Sequence, residues 1–268
     1  LSMGGKHCPW IIVKLDSNEV YQKIEDILEE ADGIMISRRE LALTVDPALV
    51  PLICKEVIHC CNKKAKVAIV ASEMLVSMRK HQTPTRAEVS DIANGVMDGA
   101  SAVVLSADIT FGPNSKQALD YVRKTIEDTE KNTILKTNWH EEKLPVSSIF
   151  EVVSWNAYKT AERIKAKAIV CLTKEGNTAL RIAGYRPPVP IIALTFSNTV
   201  KRRLSLVRGV SADLLEGEPN LDNILSTVNQ QLKKNSWLDK GDVFVLVTIT
   251  LSSMSRHASN LFTIQKIQ

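Results

Sequence analysis

Polar residues follow each of four short apolar runs in the first half of the chain, and their types suit chemistry on phosphate. Lys14 and Asp16 follow the run at 10–13, and Arg38, Arg39 and Glu40 follow 33–36. Ser72 and Glu73 follow 67–70, and Ser106 and Asp108 follow 102–105. Two carboxylates, Asp16 and Glu40, are hard oxygen donors of the kind that hold Mg2+ or Mn2+. An ammonium such as Lys14 beside them can stabilise negative charge on a transferring phosphoryl group or an enolate. A plainer reading stands alongside. Lys-x-Asp after a strand can simply make a turn or a helix cap, and Arg-Arg-Glu can be a surface ion-pair cluster.

Which reading applies depends on the elements that carry these residues. The runs at 10–13, 33–36, 67–70 and 102–105 have the length and β-branching of buried strands. Between them, 21–31 places Ile24, Ile27, Leu28 and Ala31 on one helical face, and 49–63 repeats apolar residues every three to four positions. Thr85 with Glu88 forms a capping-box pattern opening a helix over 85–98, and 115–132 reads as another. Strands alternating with amphipathic helices predict parallel βα units, whose strand C-termini share one face, the usual place for an active site. Residues 133–147 lack a pattern and contain Pro145, which marks a linker between a first domain (1–132) and a second (148–268). In the second domain, helices over 148–164, 198–208 and 222–233 alternate with strands at 168–172, 191–194 and 243–247. A turn over 173–178 opens one further helix. The class is α/β throughout, with a smaller open α/β sandwich at the end.

Composition removes several functions. The 268 residues carry a formal charge of only +4, with 44% hydrophobic and 24% charged residues. Basic residues are spread out and not interleaved with aromatics, so no nucleic-acid partner is expected; Lys201-Arg202-Arg203 reads as a solvated helix face. No apolar run reaches membrane-spanning length, so no membrane partner is expected. Five cysteines without a CxxC spacing indicate reduced thiols, a cytoplasmic setting and no zinc site.

The same segments, in the same order, resemble the pyruvate kinase family. Ile11-Ile12-Val13-Lys14-Leu15-Asp16 is similar to that family's Ile-Ile-x-Lys-Ile-Glu. Residues 31–41, Ala-Asp-Gly-Ile-Met-Ile-Ser-Arg-Arg-Glu-Leu, resemble Ser-Asp-Gly-Ile-Met-Val-Ala-Arg-Gly-Asp-Leu. Residues 71–78 resemble Ala-Thr-Gln-Met-Leu-Glu-Ser-Met, and Pro84-Thr85-Arg86-Ala87-Glu88 matches outright. Residues 173–178, Tyr185-Arg186-Pro187 and Val207-Arg208-Gly209-Val210 extend the likeness through the second domain. The resemblance implies the second half of a (β/α)8 barrel, starting just before its fifth strand, followed by the family's C-terminal α/β domain. Four barrel strands alone leave two open edges, so the missing half is expected from elsewhere.

The resemblance also implies roles. The substrates are phosphoenolpyruvate and ADP, the reaction is glycolytic phosphoryl transfer, and the cofactors are Mg2+ or Mn2+ with K+. Lys14 stabilises the transferring charge, Asp16 and Glu40 hold the divalent ion, and Ser72 serves the protonation of the enolate. Arg38, Arg39, Glu40 and Ser72 surround the substrate. The family assembles as homo-oligomers through barrel helices and C-terminal domains.

Departures from the pattern lie at this same face. The family's Glu and Asp ligands are exchanged as Asp16 and Glu40, Arg39 replaces a glycine, and 106–112 lacks the family's Thr and Lys. These changes predict a weakened site, either a slow enzyme or a pseudoenzyme acting as an assembly module; a fully functional pyruvate kinase is the alternative. The loop Thr173, Lys174, Glu175, Gly176, Asn177 and Thr178 matches a sugar-bisphosphate phosphate site. Glu175 stands there in place of Ser, so an ordinary βα turn without fructose-bisphosphate activation is expected.

Overall fold

Two apolar runs, 33–37 and 67–71, form the centre of the first sheet, and nearly all of their residues are buried. In the computed structural model, residues 9–106, 109, 111–131, 149–217, 223–249 and 260–267 are described. The chain divides into two units, Leu1–Glu141 and Glu142–Gln268. The predicted linker, residues 133–147, lies outside the described residues.

The first unit runs β1 (Ile12–Leu15), α1 (Asn18–Gln22), α2 (Ile24–Glu30), β2 (Gly33–Ser37), α3 (Arg38–Leu41) and α4 (Val50–Lys63). It continues with β3 (Val67–Ala71), α5 (Arg86–Asp98), β4 (Ala102–Val103) and α6 (Ser115–Lys131). The four strands pair in the order β1-β2-β3-β4, all parallel. Ile34, Ile36, Ala68 and Val70 pack in one cluster with Ile53, Val57, Ile58 and Cys61 of α4. Gly33 is required by the close approach of β2 to β3, since a Cβ there would lie 2.5 Å from the Val67 carbonyl oxygen.

Several predicted boundaries move, among them the helix over 198–208, which ends at Leu204, and the strand over 102–105, which ends at Val103. The first strand begins at Ile12 and not at Trp10, because the Ile11 backbone is already occupied by Asp32: its N–H donates to Asp32 Oδ2 at 2.8 Å and its carbonyl accepts from the Asp32 N–H. Lys14 therefore lies inside β1 and only Asp16 lies beyond it. The predicted 21–31 helix is two helices, with the backbone leaving helical dihedrals at Lys23 (φ −108°, ψ 15°).

The second unit contains α7 (Ile149–Arg163), β5 (Ala168–Leu172), α8 (Asn177–Gly184), β6 (Ile191–Thr195) and α9 (Asn198–Leu204). After these come β7 (Val210–Leu214), α10 (Ile224–Lys234), β8 (Val243–Ile249) and β9 (Asn260–Lys266). Its sheet has the order β7-β6-β5-β8-β9, with β9 antiparallel to β8. Ala168, Val170, Leu172, Phe244 and Leu246 pack with Ile224, Val228 and Leu232 of α10. The alternating residues Ile169, Cys171, Val245 and Val247 are buried as well, so the sheet is covered on both sides. Trp155 and Tyr158 of α7 meet Tyr185, just past α8, with ring centroids 5.3 and 6.1 Å apart.

β7 and β9 are strands that the sequence pattern does not announce. β7 is a short edge strand, Val-Ser-Ala-Asp-Leu, held by a polar side chain. Asp213 accepts hydrogen bonds from Lys201 Nζ of α9 (2.7 Å), from Gln231 Nε2 of α10 (2.6 Å) and from Asn235 Nδ2 just beyond it (2.7 Å). Burial alone would raise the Asp213 carboxyl. The Lys201 ammonium, the Leu214 N–H and the two amides outweigh it and hold the group well below the usual carboxylate range. A carboxylate depressed in this way stabilises the fold above its unfolded pKa of about 4 and loses that contribution as the pH falls through its folded value. Asp213→Asn is expected to destabilise the protein at pH 7 by on the order of 1–3 kcal/mol. The gap should narrow progressively below about pH 4, as read by urea denaturation at several pH values.

Candidate active site

The pairing register brings the predicted residues to one edge of the first sheet. Leu15 pairs with Ile36, and Ser37 with Ala71, so the chain leaves β1, β2 and β3 at nearly the same level. Asp16 and Ser72 follow the first and third exits directly, and Glu40 lies three residues beyond the second, in α3.

Lys14 Nζ lies 3.7 Å from an Asp16 carboxylate oxygen, and both side chains are about two-fifths exposed (43% and 41%). At that exposure the pair contributes little stability, so it is free to rearrange around a charged ligand. Glu40, in the short helix α3, is held more firmly. Ser72 Oγ donates to Glu40 Oε2 at 3.2 Å, and Ser37 and Ser72 hydroxyls lie 3.2 Å apart. The Ser37 hydroxyl, the Glu40 N–H, the Lys14 ammonium and the Ser72 hydroxyl together keep this carboxyl below its ordinary range, against the opposing effect of burial.

Ser37 is a site residue that the sequence reading passed over. It is buried and occupies the alanine position of the family motif, so its hydroxyl is an addition. Comparing that one position with the motif would have found it.

Ser72 and Glu73 adopt left-handed backbone conformations (φ 70° and 57°), as does Leu75 (φ 58°). Such strain in residues other than glycine persists only where surrounding bonds over-determine it. Here Glu88, the capping residue of α5, accepts from the Ser77 N–H (2.7 Å) and Ser77 Oγ (2.5 Å) as well as from Thr85. Asn114 Nδ2 donates to the Met78 and His81 carbonyls at 3.0 Å, pinning the far end of the same loop.

The two arginines part company. The Arg38 guanidinium is committed to protein partners: Asp91, Ser72 O, Ala71 O and Met74 Sδ. Substrate contact, which the sequence suggested for it, would require breaking those bonds. Arg39 is exposed, and its side chain makes no hydrogen bond or ion pair within the described residues. Of the 106–112 loop, Ser106, Ile109, Phe111 and Gly112 are described; Asp108 lies outside the described residues.

In the second unit, residues 173–178 form a tight turn. The Gly176 N–H donates to Thr173 Oγ1 at 2.9 Å, and Asn177 Nδ2 lies 3.4 Å from Glu175 Oε2. Gly176 carries φ +95°, which a side chain would strain. Lys174 and Glu175 are exposed, Thr178 is buried, and most of residues 251–260 lie outside the described set.

Among the described residues no group of three or more His, Cys, Asp or Glu side chains is arranged around a metal position. Two carboxylates with two hydroxyls form an all-oxygen donor set. That fits Mg2+ or Mn2+, which keep waters and take further oxygens from a substrate, and does not fit zinc.

Two family models match: "Pyruvate kinase, barrel domain" over residues 4–119 and "Pyruvate kinase, alpha/beta domain" over 151–264. The chain belongs to the pyruvate kinase family. A pyruvate kinase of Sporosarcina psychrophila is 34% identical over 261 residues, covering 96% of this chain and 44% of that protein. One from Bacillus licheniformis is 35% identical over 237 residues, covering 88% and 40%. The chain therefore spans less than half the length of these curated relatives. Among solved structures, a Cryptosporidium parvum pyruvate kinase superposes with a TM-score of 0.83 at 28% identity, over 97% of this chain and 52% of that one. The same organism's enzyme in complex with ADP gives 0.82 at 30% identity over the same shares. The barrel and α/β architecture expected from the resemblance is thus borne out.

The hydroxyl contacts at Glu40 are testable directly. With its carboxyl followed by 13C NMR, Glu40 should titrate below the ordinary glutamate range, and Ser37→Ala should move it upward; an unshifted Glu40 would contradict the geometry.

Proposed function

We propose that this chain supplies half of a pyruvate-kinase-type active site with lowered turnover, completed by the first half of the barrel and the lid. The observation that carries this reading is the convergence of Lys14, Asp16, Glu40 and Ser72 at one strand edge. In the reaction a β-phosphate oxygen of ADP forms a bond to the phosphorus of phosphoenolpyruvate while the phosphorus–enol oxygen bond breaks. The enolate left behind takes a proton at its methylene carbon and becomes pyruvate.

Asp16 and Glu40 would hold Mg2+ or Mn2+, which supplies positive charge against phosphoryl and enolate oxygens. Lys14 adds a mobile positive charge, since its ion pair with Asp16 is weak and exposed. Ser72, whose hydroxyl bonds Glu40 beside Ser37, would relay a proton to the enolate. Arg39 is an exposed cation available to a substrate anion. The K+ that the family uses would be held by the first half of the barrel.

Lowered turnover follows from the exchanged carboxylates. Each is displaced by one methylene relative to the family, and misplacement by about 1 Å can cost about a hundredfold in rate. A second reading, a cytoplasmic assembly module without catalysis in a homo-oligomer or larger complex, is favoured by Arg39 in the glycine position. We also place residues 173–178 as a structural turn and not a phosphate site, because the Gly176 N–H is already donated to Thr173 Oγ1 and Glu175 would repel the anion.

The readings separate in the full-length protein, assayed for pyruvate formation from phosphoenolpyruvate and ADP with Mg2+ and K+. Slow turnover is expected, abolished by Lys14→Ala and raised when Asp16→Glu and Glu40→Asp restore the family lengths together. No turnover and no Mn2+ binding by electron paramagnetic resonance would leave the assembly module standing instead.

A further inference from the structure

Arg38 begins α3, two residues before Glu40, yet its guanidinium grips the next strand. Nη2 donates to the Ser72 carbonyl at 2.7 Å and lies 3.6 Å from Met74 Sδ, and Nε donates to the Ala71 carbonyl at 3.4 Å. Nη1 donates to Asp91 Oδ2 of α5 at 2.8 Å, which anchors the group from behind. The Arg38 side chain is only 17% exposed, so its bonds to the two carbonyls are largely shielded from water, while its Asp91 partner is half-exposed.

The two carbonyls it holds are the last of β3 and the first of the left-handed turn. Ser72 and Glu73 in that turn each carry a conformation costing on the order of 1–3 kcal/mol, which external bonds must sustain. The same residue that gives its carbonyl to Arg38 directs its hydroxyl to Ser37 and Glu40, 3.2 Å from each. A planar fork spanning two successive carbonyls fixes that residue's orientation, which one lysine ammonium cannot do.

We propose that Arg38 is a positioning residue: by tying the Ala71 and Ser72 carbonyls to Asp91, it sets the Ser72 hydroxyl against Glu40 and acts on the reaction through Ser72. This rests on the reading of Ser72 and Glu40 as parts of a phosphotransfer site, and it assigns Arg38 no contact with substrate.

A double-mutant cycle in the full-length protein tests the proposal. Arg38→Lys should lower kcat by about tenfold to a hundredfold with KM for phosphoenolpyruvate nearly unchanged. Combined with Ser72→Ala, it should cost almost nothing beyond Ser72→Ala alone. A KM rise of about tenfold at unchanged kcat, or effects that multiply in the double variant, would overturn it in favour of direct substrate contact. Hydrogen exchange gives an arm independent of turnover. Arg38→Lys and Asp91→Asn should each speed exchange in the segment 71–78 while leaving α4 protected. Unchanged protection of 71–78 in both variants sinks the proposal, as does deprotection spread evenly over the unit. A wild-type protein without turnover would refute the functional reading, and the exchange result would then decide the role of Arg38 by itself.

Discussion

Everything at the candidate site depends on the in-register parallel pairing of β1, β2 and β3. Leu15, Ile36 and Val70 sit at one level of the sheet, so the segments that follow leave it together. A slip of one residue between β1 and β2 would turn Lys14 to the helix-covered face and move Asp16 from its neighbours. The register is secured by apolar packing on α4 and by Gly33, where β2 and β3 approach too closely for any side chain. Apolar forces therefore place polar groups that no apolar force could orient.

Orientation comes from a second layer of bonds. Ser37 and Ser72 hydroxyls aim at Glu40, Arg38 holds the Ser72 peptide, and Glu88 and Asn114 pin the loop beyond it. The second unit uses the same device at Asp213, where one carboxylate ties an edge strand to the helices after it. Polar chemistry is confined to such positions. The Cys54, Cys61 and Cys171 thiols are pushed up by burial to about 11, 12 and 12, which keeps them protonated and unreactive inside the cores.

Much of this was legible in the sequence, for identifiable reasons. β3 and β5 are buried on both faces and read as continuous β-branched or apolar runs, and the α5 capping box announces itself through Thr85 and Glu88. β7 escaped notice because its Ser211 and Asp213 break the apolar run; its place depends on bonds to Lys201, Gln231 and Asn235, far away in sequence. At the site, residue types and strand ends identified Lys14, Asp16, Glu40 and Ser72 as candidates. The direction of the Arg38 guanidinium was not legible, because it is set by carbonyls 33 and 34 residues away. Ser37 was visible as a departure from the family's alanine, but its effect needs the 3.2 Å spacing to Ser72.

The candidate site is organised around one carboxylate, Glu40. Glu40 is a methylene longer than the family's aspartate, and it meets a serine hydroxyl from β2 that alanine would lack. The longer side chain and the added donor are consistent with one another. Anomalous diffraction from crystals grown with Mn2+ and phosphoenolpyruvate tests this most directly. A manganese peak bound by both the Asp16 and Glu40 carboxylates, with Lys14 drawn away from Asp16 toward the phosphate, is the predicted result. An intact Lys14–Asp16 pair with no peak between the carboxylates at saturating Mn2+ would contradict it.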